Sequence, residues 1–251
     1  MANLLVLPEL GQGPETWGPV WGHLTAPREH PPSLSQVPVV EKVTTIDFYA
    51  AFADDRQIRL TDVVDYVAEM GHGLGLGPKI AVGHGLSASI LLASLPKWDP
   101  LPERVVLFAG AAPARRGTVR SPLPRVLHCA LRLTSPAHNF LGRPLSIPQH
   151  LVFRNLCNGM DTMEVMHYLT AFRPLPLRWL ASRVTVPQSI AANGMTYVVL
   201  ERDRVLPPRL QREQARQLGA REVTSLEACH QAMLQKPSEV AEIIRRVALA
   251  P

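Results

Sequence analysis

Apolar residues fall along this chain in short unbroken runs, separated by longer stretches in which apolar and polar positions alternate with helical spacing. Asn3–Leu7, Ile80–Val82, Arg104–Phe108 and Met195–Leu200 are such runs, rich in Val, Ile and Leu. A short apolar run without alternation predicts a strand covered on both faces. Lys42–Phe48, through Val43, Ile46 and Phe48, and Glu222–Ser225 read as two further strands. Between them Thr61 reads as the N-cap of a helix over Asp62–Met70, with Val63, Val64, Val67 and Met70 on one face. Leu86–Leu95 and Leu210–Leu218 read as further helices, and an amphipathic helix follows Pro237. This βα rhythm predicts an α/β architecture with a mostly parallel sheet of about six strands flanked by helices. From Pro113 to about Ser189 the rhythm stops: prolines are frequent and only helical patches such as Val126–Leu133 and Thr162–Phe172 show. The expected organisation is a core built from 1–112 and 190–251, with an insertion over 113–189.

The stretch with most chemical content is Lys79–Leu95, KIAVGHGLSASILLASL. It reads as a buried strand, a Gly-rich turn and a helix. A strand turning sharply into a helix is where a nucleophile elbow sits, with small residues flanking a nucleophile because a Cβ there crowds the turn. Gly83 and His84 lead in, but the nucleophile position is Gly85, which has no side chain to form an acyl-enzyme. Downstream, ERDRVLPP follows the Met195–Leu200 strand and EACHQAMLQKP follows the last strand.

The order of elbow, acid turn and His loop, at 85, 203 and 230, resembles the α/β-hydrolase superfamily over nearly the whole chain. The CH-x-x-ML-x-KP form, with Met233 and Pro237, is most similar to the hydroxynitrile lyase and plant methylesterase branch. The resemblance implies Asp203 as the acid behind the catalytic His230, with Glu201 a second candidate nearer the strand end. It implies that 113–189 is a helical cap shaping the substrate pocket, and that Asp47 is structural. In this fold the first loop carries a His-Gly pair with a Trp about eight residues on; Trp17 fits if Pro8 and Glu9 hold those positions. The backbone N–H groups of Leu10 and Leu86 are then the expected oxyanion donors. Glu9, Leu10, Leu86 and Met233 are the expected oxyanion or substrate-binding positions. Glu9 departs from the family pattern. A carboxylate there repels a developing oxyanion, or becomes an acid of raised pKa, or points to solvent.

Composition narrows the partners. The 251 residues carry a formal net charge of +5, mostly as scattered Arg with only four lysines. No basic stripe with interleaved aromatics is present, so nucleic acid is not an expected partner. Cys129, Cys157 and Cys229 lie far apart in no metal-ligand spacing, which predicts reduced thiols in a cytoplasmic protein with neither metal nor cofactor. The cap histidines His128, His138, His150 and His167 also fall outside metal spacing. The N-terminus lacks the positive region of a signal peptide, and no run approaches the roughly 18 apolar residues of a membrane span. The expected partner is a small apolar or aromatic substrate, bound by a monomer or homodimer.

A missing nucleophile leaves a His–Asp pair, two backbone donors and a pocket. Such a set suits proton abstraction from an acidic phenol, quinone or enol-like substrate, followed by addition, cyclisation or C–C bond formation. By analogy with superfamily members that run lyase, oxygen and C–C bond-forming chemistry without cofactors, the resemblance implies a non-hydrolytic enzyme of polyketide-type natural-product, antibiotic-like biosynthesis. Two alternatives stand beside it. Gly85-Leu86-Ser87-Ala88-Ser89 also satisfies a small-x-Ser-x-small pattern, so a serine hydrolase using Ser87 is one. A non-catalytic small-molecule-binding pseudo-hydrolase is the other.

Overall fold

The computed structural model describes residues 2–25, 40–52, 58–141, 145–174, 177–187 and 194–249, with the side chains of 25 and 134–141 outside the description. Most of the Pro-rich loop read over Ala26–Glu41 lies outside the described residues, as does the side chain of His138.

Six parallel strands form the central sheet: β1 (Ala2–Leu7), β2 (Val40–Thr45), β3 (Lys79–His84), β4 (Arg104–Phe108), β7 (Met195–Leu200) and β8 (Glu222–Leu226), in the order β2-β1-β3-β4-β7-β8. The unbroken apolar runs have the reason expected of them. In β1, Leu5 and Leu7 enter one core and Leu4 and Val6 the other, on opposite faces because strand side chains alternate. The first core packs against α3 (Leu60–His72), α4 (Ser87–Ser94) and α9 (Pro208–Leu218), through Val63, Val67, Leu91 and Ala215. The second packs against α1 (Gly18–Thr25) and α11 (Pro237–Leu249), through Val20, Val240 and Ile244.

Several boundaries differ from the sequence reading, two of them where a carboxylate caps a helix start. The second strand stops at Thr45, because Asp47 caps the short helix α2 (Phe48–Ala51) by accepting from the backbone N–H groups of Tyr49 and Ala50. The third helix begins two residues early: Arg59 is its N-cap, Thr61 lies inside the first turn, and the Asp62 carboxylate accepts from the Arg59 N–H.

Between β4 and β7 the chain leaves the sheet. It forms a two-stranded antiparallel pair, β5 (Arg116–Thr118) with β6 (Arg183–Thr185), which no sequence signal announced. The helices α5 (Arg125–Leu141), α6 (Gln149–Leu151), α7 (Thr162–His167) and α8 (Leu177–Ala181) complete the segment, followed in the core by α10 (Ala232–Gln235). The patch read as Thr162–Phe172 is helical only to His167, with a separate turn over Leu169–Ala171. No helix among the described residues is long and apolar enough to cross a membrane.

Helix α4 sits close on the sheet because Gly83 carries no side chain. A Cβ built on Gly83 would lie 3.1 Å from Leu91 Cδ2 and 3.2 Å from Leu107 Cδ2. Gly83→Val should therefore overpack this contact and cost about 1–3 kcal/mol. Urea unfolding measures it, and an unchanged midpoint would show that the helix gives way freely.

Candidate active site

All the chemistry-bearing groups leave the sheet at the C-terminal ends of its strands, the usual ligand edge of a parallel sheet. Glu9 follows β1, Gly85 follows β3, Asp203 follows β7 and His230 follows β8. Gly85 holds φ +54°, in the left-handed region, and the turn is tied to β4 by Gly85 N–H to the Phe108 carbonyl (3.0 Å) and Ala111 N–H to the Gly85 carbonyl (2.7 Å).

The structure brings Asp203 and His230 together. Asp203 Oδ2 accepts from His230 Nδ1 at 2.7 Å and from Gln211 Nε2 at 3.0 Å, while Oδ1 accepts from the N–H groups of Val205 (2.7 Å) and Leu206 (2.9 Å). Both oxygens are thus fully used, and the carboxylate has one orientation. Glu201 lies elsewhere, paired with Arg212. Gln211 was not singled out from the sequence. From a helix position that reads as surface, its wholly buried amide also accepts from Leu200 N–H and donates to the Leu206 carbonyl, clamping the acid turn. His84 packs its ring 4.7 Å from that of His230 and bonds the His230 carbonyl through Nε2 at 3.0 Å. Burial, then the His230 charge, hold His84 well below the usual range, so it stays neutral beside the working ring.

Glu9 points inward, which excludes its solvent-facing reading; the residue is 7% exposed. Its Oε1 accepts from Leu10 N–H at 2.7 Å and Leu86 N–H at 3.0 Å, and its Oε2 accepts from Leu86 N–H at 3.0 Å. The two backbone donors expected to hold a substrate oxyanion are therefore filled by the protein's own carboxylate. A Cβ built on Gly85 would overlap Glu9 Oε2, so the carboxylate takes the volume a nucleophilic side chain would need. Glu9 Oε2 also lies 3.4 Å from His230 Nε2, an ion-pair separation, and Nε2 makes no hydrogen bond.

One imidazole thus stands between two carboxylates. Burial alone would push its pKa down. The Asp203 charge and hydrogen bond, followed by the Glu9 carboxylate, outweigh burial and hold His230 up at about 10. The two carboxylates therefore favour the imidazolium form of the ring at neutral pH, where the sequence reading expected a free base.

The site opens on a cavity of about 550 Å³. Glu9, Leu10, Gly85, Leu86 and His230 line it, with Leu123, Leu127 and Leu131 from the α5 region, and Leu145, Ile147, Leu151 and Leu156 beyond it. Met233 does not. It is fully buried beside Trp17 and Phe108 in the core behind the sheet, because α10 turns it away from the cavity. Ser87 is likewise wholly buried and is absent from the cavity wall; its hydroxyl serves the Leu7 and His84 carbonyls, at 3.0 and 2.7 Å. Among the described residues no group of three or more His, Cys, Asp or Glu side chains is placed to hold a metal ion.

The raised His230 pKa links folding to pH. Protonated His230 is favoured in the folded state, so its contribution to stability is complete below about pH 6.5, the unfolded value, and fades as pH rises to about 10. Urea midpoints between pH 6 and pH 10 should fall for the wild type. They should fall less for His230→Asn, and Glu9→Gln should move the loss to lower pH. A wild-type profile as flat as that of His230→Asn would contradict the doubly paired imidazolium.

Comparison with known proteins bears on the fold. No curated protein matches the sequence. An extracellular alpha/beta-hydrolase from a Paenibacillus species, described as sharing structural and functional homology with tobacco salicylic acid binding protein 2, superposes with a TM-score of 0.78 at 17% identity, over 100% of each chain. Polyneuridine aldehyde esterase gives a TM-score of 0.66 at 16% identity, over 99% of this chain and 100% of that one. A His-to-Ala variant of tomato methylketone synthase I, complexed with beta-ketoheptanoate, gives 0.69 at 14% identity, over 99% and 98%. At these identities the likeness is one of fold. The sequence profile of the alpha/beta hydrolase family matches residues 4–243, and the chain belongs to that family.

Proposed function

We propose that this protein is a non-hydrolytic, cofactor-free enzyme that moves protons between Glu9, His230 and an apolar substrate bearing an acidic O–H or C–H. The observation that carries the reading is the occupied oxyanion cradle: Glu9 sits on Leu10 and Leu86 N–H, beside a nucleophile position that is glycine. Segment 113–189 acts as the cap, and its leucines give the cavity the apolar character that strengthens charge interactions inside it.

Glu9 takes the substrate proton, and the enolate or phenolate carbon attacks a carbonyl or conjugated acceptor. The imidazolium of His230 delivers its Nε2 proton to the acceptor oxygen. The proton on Glu9 then crosses the 3.4 Å to His230, which restores the resting state. One C–C bond forms, one π bond is consumed, and no redox partner is needed. Asp203 keeps Nδ1 protonated and the ring aligned throughout. The products fit addition or cyclisation, the chemistry of polyketide-type natural-product assembly. The relatives named above as esterase or synthase lend the fold, and the beta-ketoheptanoate complexed with the tomato variant carries an acidic carbon of the same kind.

Solvent deuterium exchange at the α-carbon of 1-tetralone, followed by NMR, tests the proton transfer. The wild type should exceed buffer. Glu9→Gln and His230→Ala should each lose about 10²–10⁴-fold, the usual share of general acid–base catalysis, while Ser87→Ala retains the rate. Exchange no faster than buffer in the wild type would favour the non-catalytic binding alternative, and loss of exchange in Ser87→Ala would return attention to that serine.

The paired change at 9 and 85 has its own test. Gly85→Ser alone should remain unlabelled by a fluorophosphonate, because Glu9 fills the nucleophile's space and its donors. Glu9→Gly with Gly85→Ser vacates both and should gain labelling and p-nitrophenyl acetate hydrolysis. Equal labelling of single and double variants would separate Glu9 from the loss of the nucleophile.

A further inference from the structure

The charged groups on the cavity wall are unevenly placed. Glu9 and His230 are buried at its inner end, with Asp203 directly behind. Two carboxylates around one imidazolium leave that end with a net negative charge. Arg204 is exposed and also lines the cavity, so it stands at the mouth. It comes from the same turn as Asp203, which fixes its base. Its guanidinium donates through Nη1 to the Arg154 carbonyl at 3.2 Å, which leaves other N–H groups of the fork unused. Two of its neighbours are paired, Arg202 with Glu227 at 3.0 Å and Arg212 with Glu201, and Arg209 on the helix does not line the cavity. Among the described residues no carboxylate pairs with Arg204. Exposed Ser146 and half-buried Asn155 share the wall with it and supply neutral polar groups.

We infer that the cavity takes an amphiphilic organic acid, with Arg204 binding its anionic group at the mouth while its uncharged end reaches Glu9 and His230. The physical argument is one of polarity. A carboxylate driven to the inner end would lose its water in an apolar cavity and meet two like charges. At the mouth it keeps part of its hydration and gains a guanidinium whose planar fork suits carboxylate or sulfonate oxygens. The reacting group must then be neutral on arrival, as an acid that has still to give its proton to Glu9 is. The inference rests on the cavity being the substrate site proposed above. Its test reads binding alone, so it can fail while deuterium exchange succeeds, and the reverse.

Two fluorescent probes with the same rings separate charge from shape: 8-anilino-1-naphthalenesulfonate, an anion, and N-phenyl-1-naphthylamine, which is neutral. Arg204→Gln should weaken the sulfonate about tenfold and leave the neutral amine within about twofold, and Arg204→Lys should recover most of the loss. Salt should weaken sulfonate binding to the wild type more than to Arg204→Gln. Unchanged sulfonate affinity in Arg204→Gln would overturn the inference. Equal loss of both probes would overturn it too, because Arg204 would then act only as a latch on the Arg154 carbonyl.

Discussion

Two backbone N–H groups and one imidazolium converge on the carboxylate of Glu9, and the arrangement of the site follows from that convergence. The donors are present because a β1 loop and a strand-to-helix turn meet at one edge of a parallel sheet. In a hydrolase such donors wait for a charge that develops on the substrate. Here a resident charge fills them. The turn accepts it only because Gly85 lacks a Cβ, so the identity of residue 85 and the position of residue 9 are one constraint seen from two sides.

The rest of the site serves to keep these charges tolerable. A buried ion survives when it is paired and its hydrogen-bonding capacity is used. Asp203 meets four donors, Glu9 meets two backbone donors and the imidazolium, and Gln211 ties the acid turn to the end of β7. His84, held neutral, adds no second charge beside His230. The result is a small, fixed, net negative cluster under an apolar cavity. Such a cluster binds an anion poorly at its inner end, a selectivity opposite in sign to that of an empty oxyanion hole.

Family membership therefore says little about the reaction. The relatives that share this fold carry names as different as esterase and methylketone synthase. A fold supplies positions, and the groups standing in them decide the chemistry. At the sheet edge here, a carboxylate from the loop after β1 occupies the space beside Gly85.

Much of this was legible in the sequence, for a physical reason. Unbroken apolar runs declare strands covered on both faces, and the family resemblance picked out Asp203 and His230, which the structure brings into hydrogen-bond contact. That residue 85, in the turn after β3, is a glycine needed no coordinates. Local pattern misjudged the end of β2 and the start of α3, where the carboxylates of Asp47 and Asp62 cap backbone N–H groups and set the boundary. It also gave Met233 a place in the pocket that the turn into α10 denies it. What the chain could not state by itself was the direction of Glu9, 76 positions from Gly85. Solvent and the oxyanion cradle are both open to a carboxylate on a loop, and the choice depends on a void and two N–H groups that exist only once β1 and β3 lie side by side. Tertiary packing made that void, and with it seated the Glu9 carboxylate beside Gly85.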